Sequence, residues 1–228
     1  MATISENITR INQAKVDIKN AIIAKGGTVA DSDKINVYAQ AIEALPSGDE
    51  TVKGIIDRSI TKCNIPQGTT SIGDYAFTFC TSLTSVTIPD IVTSIGVSAF
   101  NNCSKLTSVT IPDSVTTISE LAFDHCSKLT SVTIGNGVTR INFNAFSFCT
   151  SLTSVTIGNG VTRISNYVFS DCPRLATITV KATTPPTLGS DAIPNNVTAI
   201  YVPSGSVNTY KASSDWSSYA SKIQAIPE

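Results

Sequence analysis

Five cysteines, Cys80, Cys103, Cys126, Cys149 and Cys172, recur at an unbroken spacing of 23 residues, and no other feature restricts the fold as tightly. The apolar positions keep the same period. Leu83, Leu106, Leu129, Leu152 and Leu175 form one column, and Val86, Val109, Val132, Val155 and Ile178 form the next. Ile88, Ile111, Ile134, Ile157 and Val180 make a third column, and Ile72, Ile95, Ile118, Ile141 and Ile164 a fourth. Phe77, Phe100, Phe123, Phe146 and Phe169 complete the unit. Residues 57–66 align with 80–89, so the array begins near Asp57 and Cys63 takes a valine place, apart from the other five cysteines. A unit this short cannot bury its own apolar face. Copies stacked in register can, because each column then becomes a continuous spine.

Within a unit, Leu83-Thr84-Ser85-Val86-Thr87-Ile88 alternates as a strand does, with Val86 and Ile88 inward and Ser85 and Thr87 outward. Turn chemistry follows at Pro89-Asp90, Pro112-Asp113, Gly135-Asn136 and Gly158-Asn159. Val92-Thr93-Ser94-Ile95 supplies a second extended piece, and the Ala-Phe step carries the chain round the convex side. These signals predict a right-handed, β-rich repeat solenoid of about five to six coils. Its strands pair in parallel roughly 4.8 Å apart, giving a rod segment about 25–30 Å long.

The unit C-x-x-L-T-S-V-T-I-P-x-x-V-T-S-I-G-x-x-A-F resembles the BspA-like class of leucine-rich repeats, common in surface proteins of gut and oral anaerobes. The resemblance runs from residue 57 to 226 and includes Ile200 to Val207, Tyr210, Lys211, Trp216 and Tyr219, which are similar to the terminal cap of that class. It implies a leucine-rich-repeat array ending in a cap. Members are mostly adhesins or uncharacterised surface and phage-encoded proteins, and they share no catalytic site whose residues carry over. The end of an open solenoid needs a cover in any case, so the aromatic cluster of Tyr201, Tyr210, Trp216 and Tyr219 is expected to close it; a sugar-binding platform is the alternative.

Residues 1–50 do not repeat and are expected to form a helical module with a linker, ahead of a solenoid over 51–180 and a repeat remnant with cap over 181–228. Thr3-Ile4-Ser5-Glu6 is a capping-box start. Ile4, Ile8, Ile11, Ile18 and Ile22 follow at alternating spacings of 4 and 3, with Lys15 in the missing heptad place. Gly26-Gly27 ends that helix, and a second one is predicted from Ser32 to Leu45. Two readings stand: an α-hairpin that packs on itself or on the first coil, or a short oligomerising coiled coil, which isoleucine at both core positions directs toward three or four strands. The segment from Lys15 to Ile42 also resembles a short module of phage tail-fibre and virion proteins.

Composition removes several functions. Hydrophobic residues make up 41%, charged residues 14% and aromatic residues 7%, with a formal net charge of -1. That balance gives no footing for a protein that tracks nucleic-acid phosphates, and no apolar stretch is long enough to span a bilayer. The N-terminus lacks a basic and an apolar signal region, which predicts synthesis in the cytoplasm without a signal peptide. No HExxH, GxSxG or P-loop pattern occurs, and no metal or other cofactor is implied. The lone histidine, His125, adjoins Cys126. Neighbours on an extended segment face opposite ways, so His125 is expected outside, Cys126 inside, and no nucleophile–base pair forms. The cysteine column is read as buried reduced thiols with weak S–H contacts to carbonyls, since a straight row suits neither disulfides nor tetrahedral zinc.

The outward strand positions are the candidate binding face: Ser85 and Thr87, Ser108 and Thr110, Ser131 and Thr133, Ser154 and Thr156, Thr177 and Thr179. A two-column hydroxyl array either keeps a sheet soluble without charge or presents a surface to a protein or glycan. Lys105 stacks on Lys128 and Arg140 on Arg163, read as solvated edges. Phe79, Phe143 and Phe148 lie off the core columns and, if exposed, mark a contact site. The sequons at Asn7, Asn102 and Asn196 carry no weight without a secretory route.

The expectation is a non-enzymatic structural or adhesive protein that presents its solenoid to a protein or glycan. The Met start, the absent signal and the helical module favour a phage virion component, a tail or head fibre, assembled through other virion proteins or a homotrimer. A bacterial cell-surface adhesin of the same class is the alternative.

Overall fold

The computed structural model describes residues 58–65 and 67–227. The helical module expected over residues 1–50, including Ile4, Ile8, Ile11, Ile18 and Ile22, lies outside the described residues.

The period of 23 becomes a stack of parallel strands. One long-strand position per turn is occupied by β1 (Lys62–Asn64), β3 (Ser85–Thr87), β5 (Ser108–Ile111), β7 (Ser131–Ile134), β9 (Ser154–Ile157), β11 (Thr177–Val180) and β13 (Ala199–Val202). Between them lie the short strands β2 (Ser71–Ile72), β4 (Ser94–Ile95), β6 (Thr117–Ile118), β8 (Arg140–Ile141), β10 (Arg163–Ile164) and β12 (Thr187–Leu188). The short strands form one ladder in the order β12-β10-β8-β6-β4-β2. The long strands divide between a β1-β3 pair and a ladder from β5 to β13, closed by β14 (Ile223–Ala225). Pairing is in register at the sequence period, as in Val109↔Val132 and Val132↔Val155. Cys63 pairs with Val86, the valine place expected for it. The ladder runs beyond Val180 into β13, so the described residues carry seven long-strand turns where about five to six coils were expected.

Stacking buries the columns the sequence defines. Leu106, Leu129, Leu152, Ile95, Ile118 and Ile141 have no exposed surface. The Phe column is a pile of rings: centroids lie 4.9 Å apart for Phe77–Phe100 and Phe100–Phe123, 5.1 Å for Phe123–Phe146 and 5.7 Å for Phe146–Phe169. The rise per coil imposes that spacing, within the range where offset aromatic pairs attract. All six cysteines are buried and unbridged. Each of four thiols donates to a carbonyl of the preceding coil: Cys103 Sγ to Phe77 O at 3.1 Å, Cys126 Sγ to Phe100 O at 3.2 Å, Cys149 Sγ to Phe123 O at 3.3 Å and Cys172 Sγ to Phe146 O at 3.3 Å.

The turn side of each coil was not legible. Tyr75, Ser98, Leu121, Asn144 and Tyr167 form one column with positive φ, and Phe79, Asn102, His125, Phe148 and Asp171 form another. A left-handed residue with a side chain costs roughly 1–2 kcal/mol. The hydrogen bonds this conformation permits offset that cost: the Tyr75, Leu121 and Tyr167 N–H groups reach forward to Val97 O, Phe143 O and Ser190 O at 2.9, 3.0 and 2.9 Å. Strand-side groups reach backward instead, as Thr107 N does to Thr84 O at 3.2 Å. His125 is outside and Cys126 inside as expected, but for a different reason. His125 is a left-handed turn residue with φ 59°, not part of an extended segment.

The C-terminal aromatic cluster closes the stack. Tyr210, on the helix α1 (Val207–Ala212), and Trp216 are fully buried, with ring centroids 5.0 Å apart. Their polar tips are satisfied: Tyr210 donates to Ala182 O at 2.8 Å and Trp216 Nε1 to Pro186 O at 2.7 Å. Burial removes Trp216 as a sugar platform. Asp215 Oδ2 accepts the Leu188 N–H at 3.1 Å, blunting the β12 edge of the short-strand ladder.

Candidate functional site

The solenoid offers several columns of hydroxyls, and the structure sorts them by whether they are already used. Thr84, Thr107, Thr130 and Thr153 donate through Oγ1 to the backbone carbonyl one coil back, at 2.8, 3.2, 3.0 and 3.0 Å. Thr93, Thr116, Thr139 and Thr162 do the same beside the short strands, at 3.0, 3.1, 3.1 and 3.1 Å. These threonines are bolts between coils.

The outward hydroxyls of the long strands are different. Ser108, Ser131, Ser154 and Thr177 are successive Cα partners, as are Thr110, Thr133, Thr156 and Thr179. None of these eight side chains makes a hydrogen bond among the described residues. The result is an uncharged grid with about 4.8 Å between rungs and about 6.6 Å along each strand. Ser85 and Thr87 continue the two columns one coil back on β3, which is tied to the next coil by Thr107 N to Thr84 O at 3.2 Å and pairs with β1 on its other side. Ser108 to Thr133 are exposed and Ser154 to Thr179 half-buried, and the grid ends at Ala199 and Tyr201.

Two further features lie on the turn side. Phe79, Phe143 and Phe148 are 47%, 40% and 41% exposed, joined by Tyr75 and Tyr167, which sequence reasoning missed. Phe143 meets Tyr167 edge to face at 5.7 Å, and Phe148 stacks on His125 at 4.4 Å. The second feature, also missed, is the buried Asp124. Its carboxylate accepts from Asn101 Nδ2 at 2.9 Å, His125 Nδ1 at 2.8 Å and Ser147 Oγ at 2.6 Å. The signal was the column Thr78, Asn101, Asp124, Ser147 and Ser170, polar in every coil though it adjoins the phenylalanines. Here the carboxylate is central, bonded to hydroxyl and imidazole alike, whereas a hydrolytic relay needs the imidazole between the other two. Cys126 cannot serve His125 as a nucleophile: its thiol is buried, donates inward and has its pKa raised well above the usual thiol range by desolvation.

A hollow of about 290 Å³ beside the cap is lined by Asp191, Asp215, Ser218 and Tyr219, among others. Desolvation and the charge of Asp191 raise the Tyr219 pKa, and its hydroxyl donates to Ile193 O at 2.7 Å. Of the sequon residues, Asn196 is tied down: its Nδ2 donates to Cys172 O at 3.2 Å and Leu175 O at 2.9 Å. Among the described residues no helix is long and apolar enough to cross a membrane.

Parallel rungs, a repeat of 23 and buried Leu, Cys and Phe spines define a leucine-rich-repeat solenoid. The chain belongs to the BspA-type leucine-rich repeat family, whose profile matches six copies over residues 56–176. Among solved structures it is similar to the pneumococcal vaccine antigen PcpA, with a TM-score of 0.60 and 22% identity over 73% of this chain and 40% of that one. It is also similar to the T. pallidum leucine-rich repeat protein TpLRR, with a TM-score of 0.52 and 24% identity over 73% and 87% of the two chains. A leucine-rich repeat protein from Bacteroides ovatus gives a TM-score of 0.51 and 27% identity, over 75% of this chain and 44% of that one. The chain thus spans less than half the length of the PcpA and B. ovatus structures. No curated protein matches it.

Proposed function

We propose that this protein is a non-enzymatic recognition scaffold whose long-strand face binds a protein or glycan through the hydroxyl grid. One observation carries the reading: the bolt threonines spend their hydroxyls on backbone carbonyls, while Ser108, Thr110, Ser131, Thr133, Ser154, Thr156, Thr177 and Thr179 leave theirs free. A rigid ladder holds these groups at fixed intervals, so a ligand binds without first ordering them. Ser85 and Thr87 extend the face by one coil onto β3.

A glycan array followed by titration of the hits tests this. Thr110→Lys with Thr133→Lys is expected to abolish binding, because two long cations would cover the grid. Both positions are exposed, so the stability change is expected to stay within about 0.5 kcal/mol per site. Full binding by the double variant would sink the proposal.

For the biological setting, the proposal is a phage virion component. Its support is the resemblance of Lys15 to Ile42 to tail-fibre modules, with Ile4, Ile8, Ile11, Ile18 and Ile22 as the oligomerising seam. Light scattering of the full chain is expected to give a trimer, and Ile11→Ser with Ile18→Ser to release monomers. A monomeric unmodified protein at high concentration would remove the seam. The family match favours the other setting, an adhesin on a bacterial surface. Proteomics of purified particles against surface-shaved cells separates the two.

A further inference from the structure

Arg140 on β8 and Arg163 on β10 are direct Cα partners on adjacent parallel strands. Adjacent strands run about 4.8 Å apart, and like charges placed directly opposite are destabilising. Both arginines are exposed, and neither guanidinium has an ion-pair or hydrogen-bond partner among the described residues. The repeat does not ask for them. The same column holds Ser71, Ser94 and Thr117 on one side and Thr187 on the other, all neutral.

The same two turns carry a second departure from the repeat. Phe143 and Tyr167 follow Arg140 and Arg163 by three and four residues, and they meet edge to face at 5.7 Å while remaining 40% and 38% exposed. The paired cations work against stability and the aromatic pair leaves apolar surface in water, and the two coincide on consecutive turns. Exposed apolar surface beside unpaired charge marks a place where another molecule is held.

We propose that Arg140 and Arg163, with Phe143 and Tyr167 three and four residues further along the same two turns, form a binding site for an anionic saccharide, a pyranose bearing carboxylate or sulfate. Guanidinium is the side chain best shaped for such oxyanions, offering two parallel N–H donors to one group. Bound between the two cations, the anion turns their repulsion into shared attraction. The aromatic pair offers flat apolar surface to the C–H face of a sugar ring. This site is on the short-strand ladder and does not rest on the hydroxyl grid; either can fail without the other.

The test is calorimetry on the full chain at low salt with five probes: a heparin-derived tetrasaccharide, a galacturonate oligosaccharide, maltotetraose, hexaglutamate and inorganic sulfate. Either or both acidic saccharides are expected to bind, more weakly as salt rises, and maltotetraose to bind at least about tenfold less well. Heparin alone binding assigns the oxyanion to sulfate, and galacturonate binding extends it to carboxylate. Arg140→Gln with Arg163→Gln is expected to weaken binding at least about tenfold while the melting temperature holds or rises, since repulsion has been removed. Phe143→Ser with Tyr167→Ser should weaken the saccharide more than inorganic sulfate. The proposal is overturned if neither acidic saccharide binds, if the arginine variant binds normally, if that variant melts well below the parent, or if hexaglutamate binds as tightly as the sugars.

Discussion

Phe123→Ala is expected to lower the free energy of unfolding by about 3–5 kcal/mol, the upper range for a buried aromatic truncation. Phe123 has no exposed surface and lies between Phe100 at 4.9 Å and Phe146 at 5.1 Å, its ring within 7° of both. The gap left by the ring cannot close, because backbone bonds hold the coils apart: Phe100 N to Ala122 O at 2.7 Å and Phe123 N to Ala145 O at 2.8 Å. Stability in a solenoid is a sum of units and nearest-neighbour interfaces, so a defect in a central coil weakens two interfaces at once. For a unit of this size the melting temperature should fall by roughly 10 °C. Phe77→Ala is the control. Phe77 stacks on one ring among the described residues, Phe100, and is expected to cost about half as much. Thermal and urea melts of both variants measure the difference, and equal losses would mean that stacking along the axis is not what stabilises the array.

The second large effect is alkaline unfolding driven by the cysteine column. Desolvation raises the pKa values of Cys103, Cys126 and Cys149 well above the usual thiol value of 9.0, with neighbouring thiols adding to the rise at Cys103 and Cys149. Below that value the thiols are protonated in both states and make no pH-dependent contribution. Above it the unfolded chain releases protons that the folded chain keeps, so stability falls as pH rises. Each thiol contributes a slope of about 1.4 kcal/mol per pH unit, and the three together about 4 kcal/mol per unit. Cys63, pushed up to about 11, adds to the slope only between 9.0 and that value. The urea midpoint is therefore expected to drop steeply between pH 9 and 11. Cys103→Ser, Cys126→Ser and Cys149→Ser together should flatten that drop, whatever they cost at pH 7, because the hydroxyl keeps a donor and does not titrate there. An identical slope in the triple variant would show that the thiols are not held protonated. Thiol labelling gives a second reading: no column cysteine should react in the native state at pH 8, and all should react in denaturant.

The spines were readable because their cause is local and repeated. Leu106, Cys126 and Ile141 are buried for the same reason in every coil, so one sequence column gives one structural column. The valine place of Cys63, the inward thiols and the aromatic cap follow from that logic. The turn side was closed to it. Asn102, Asn144 and Asp171 are types that favour positive φ, but Tyr75, Phe79, Leu121, Phe148 and Tyr167 are not, and they adopt it to bond carbonyls of the next coil. The buried Asp124 is likewise a matter of partners drawn from neighbouring coils: Asn101 lies one coil before it and Ser147 one coil after.

For the candidate faces the division is sharper. The order of residues alone fixed which hydroxyls point outward, since a strand alternates with period two. It could not separate Thr107, whose hydroxyl is spent on Thr84 O, from Thr110, whose hydroxyl is free, because hydrogen bonding depends on what the preceding coil brings within reach. Periodicity determines which side chains share a column, because every coil repeats the same local choices. Only the packed stack decides which of them are used up between coils and which remain to meet another molecule.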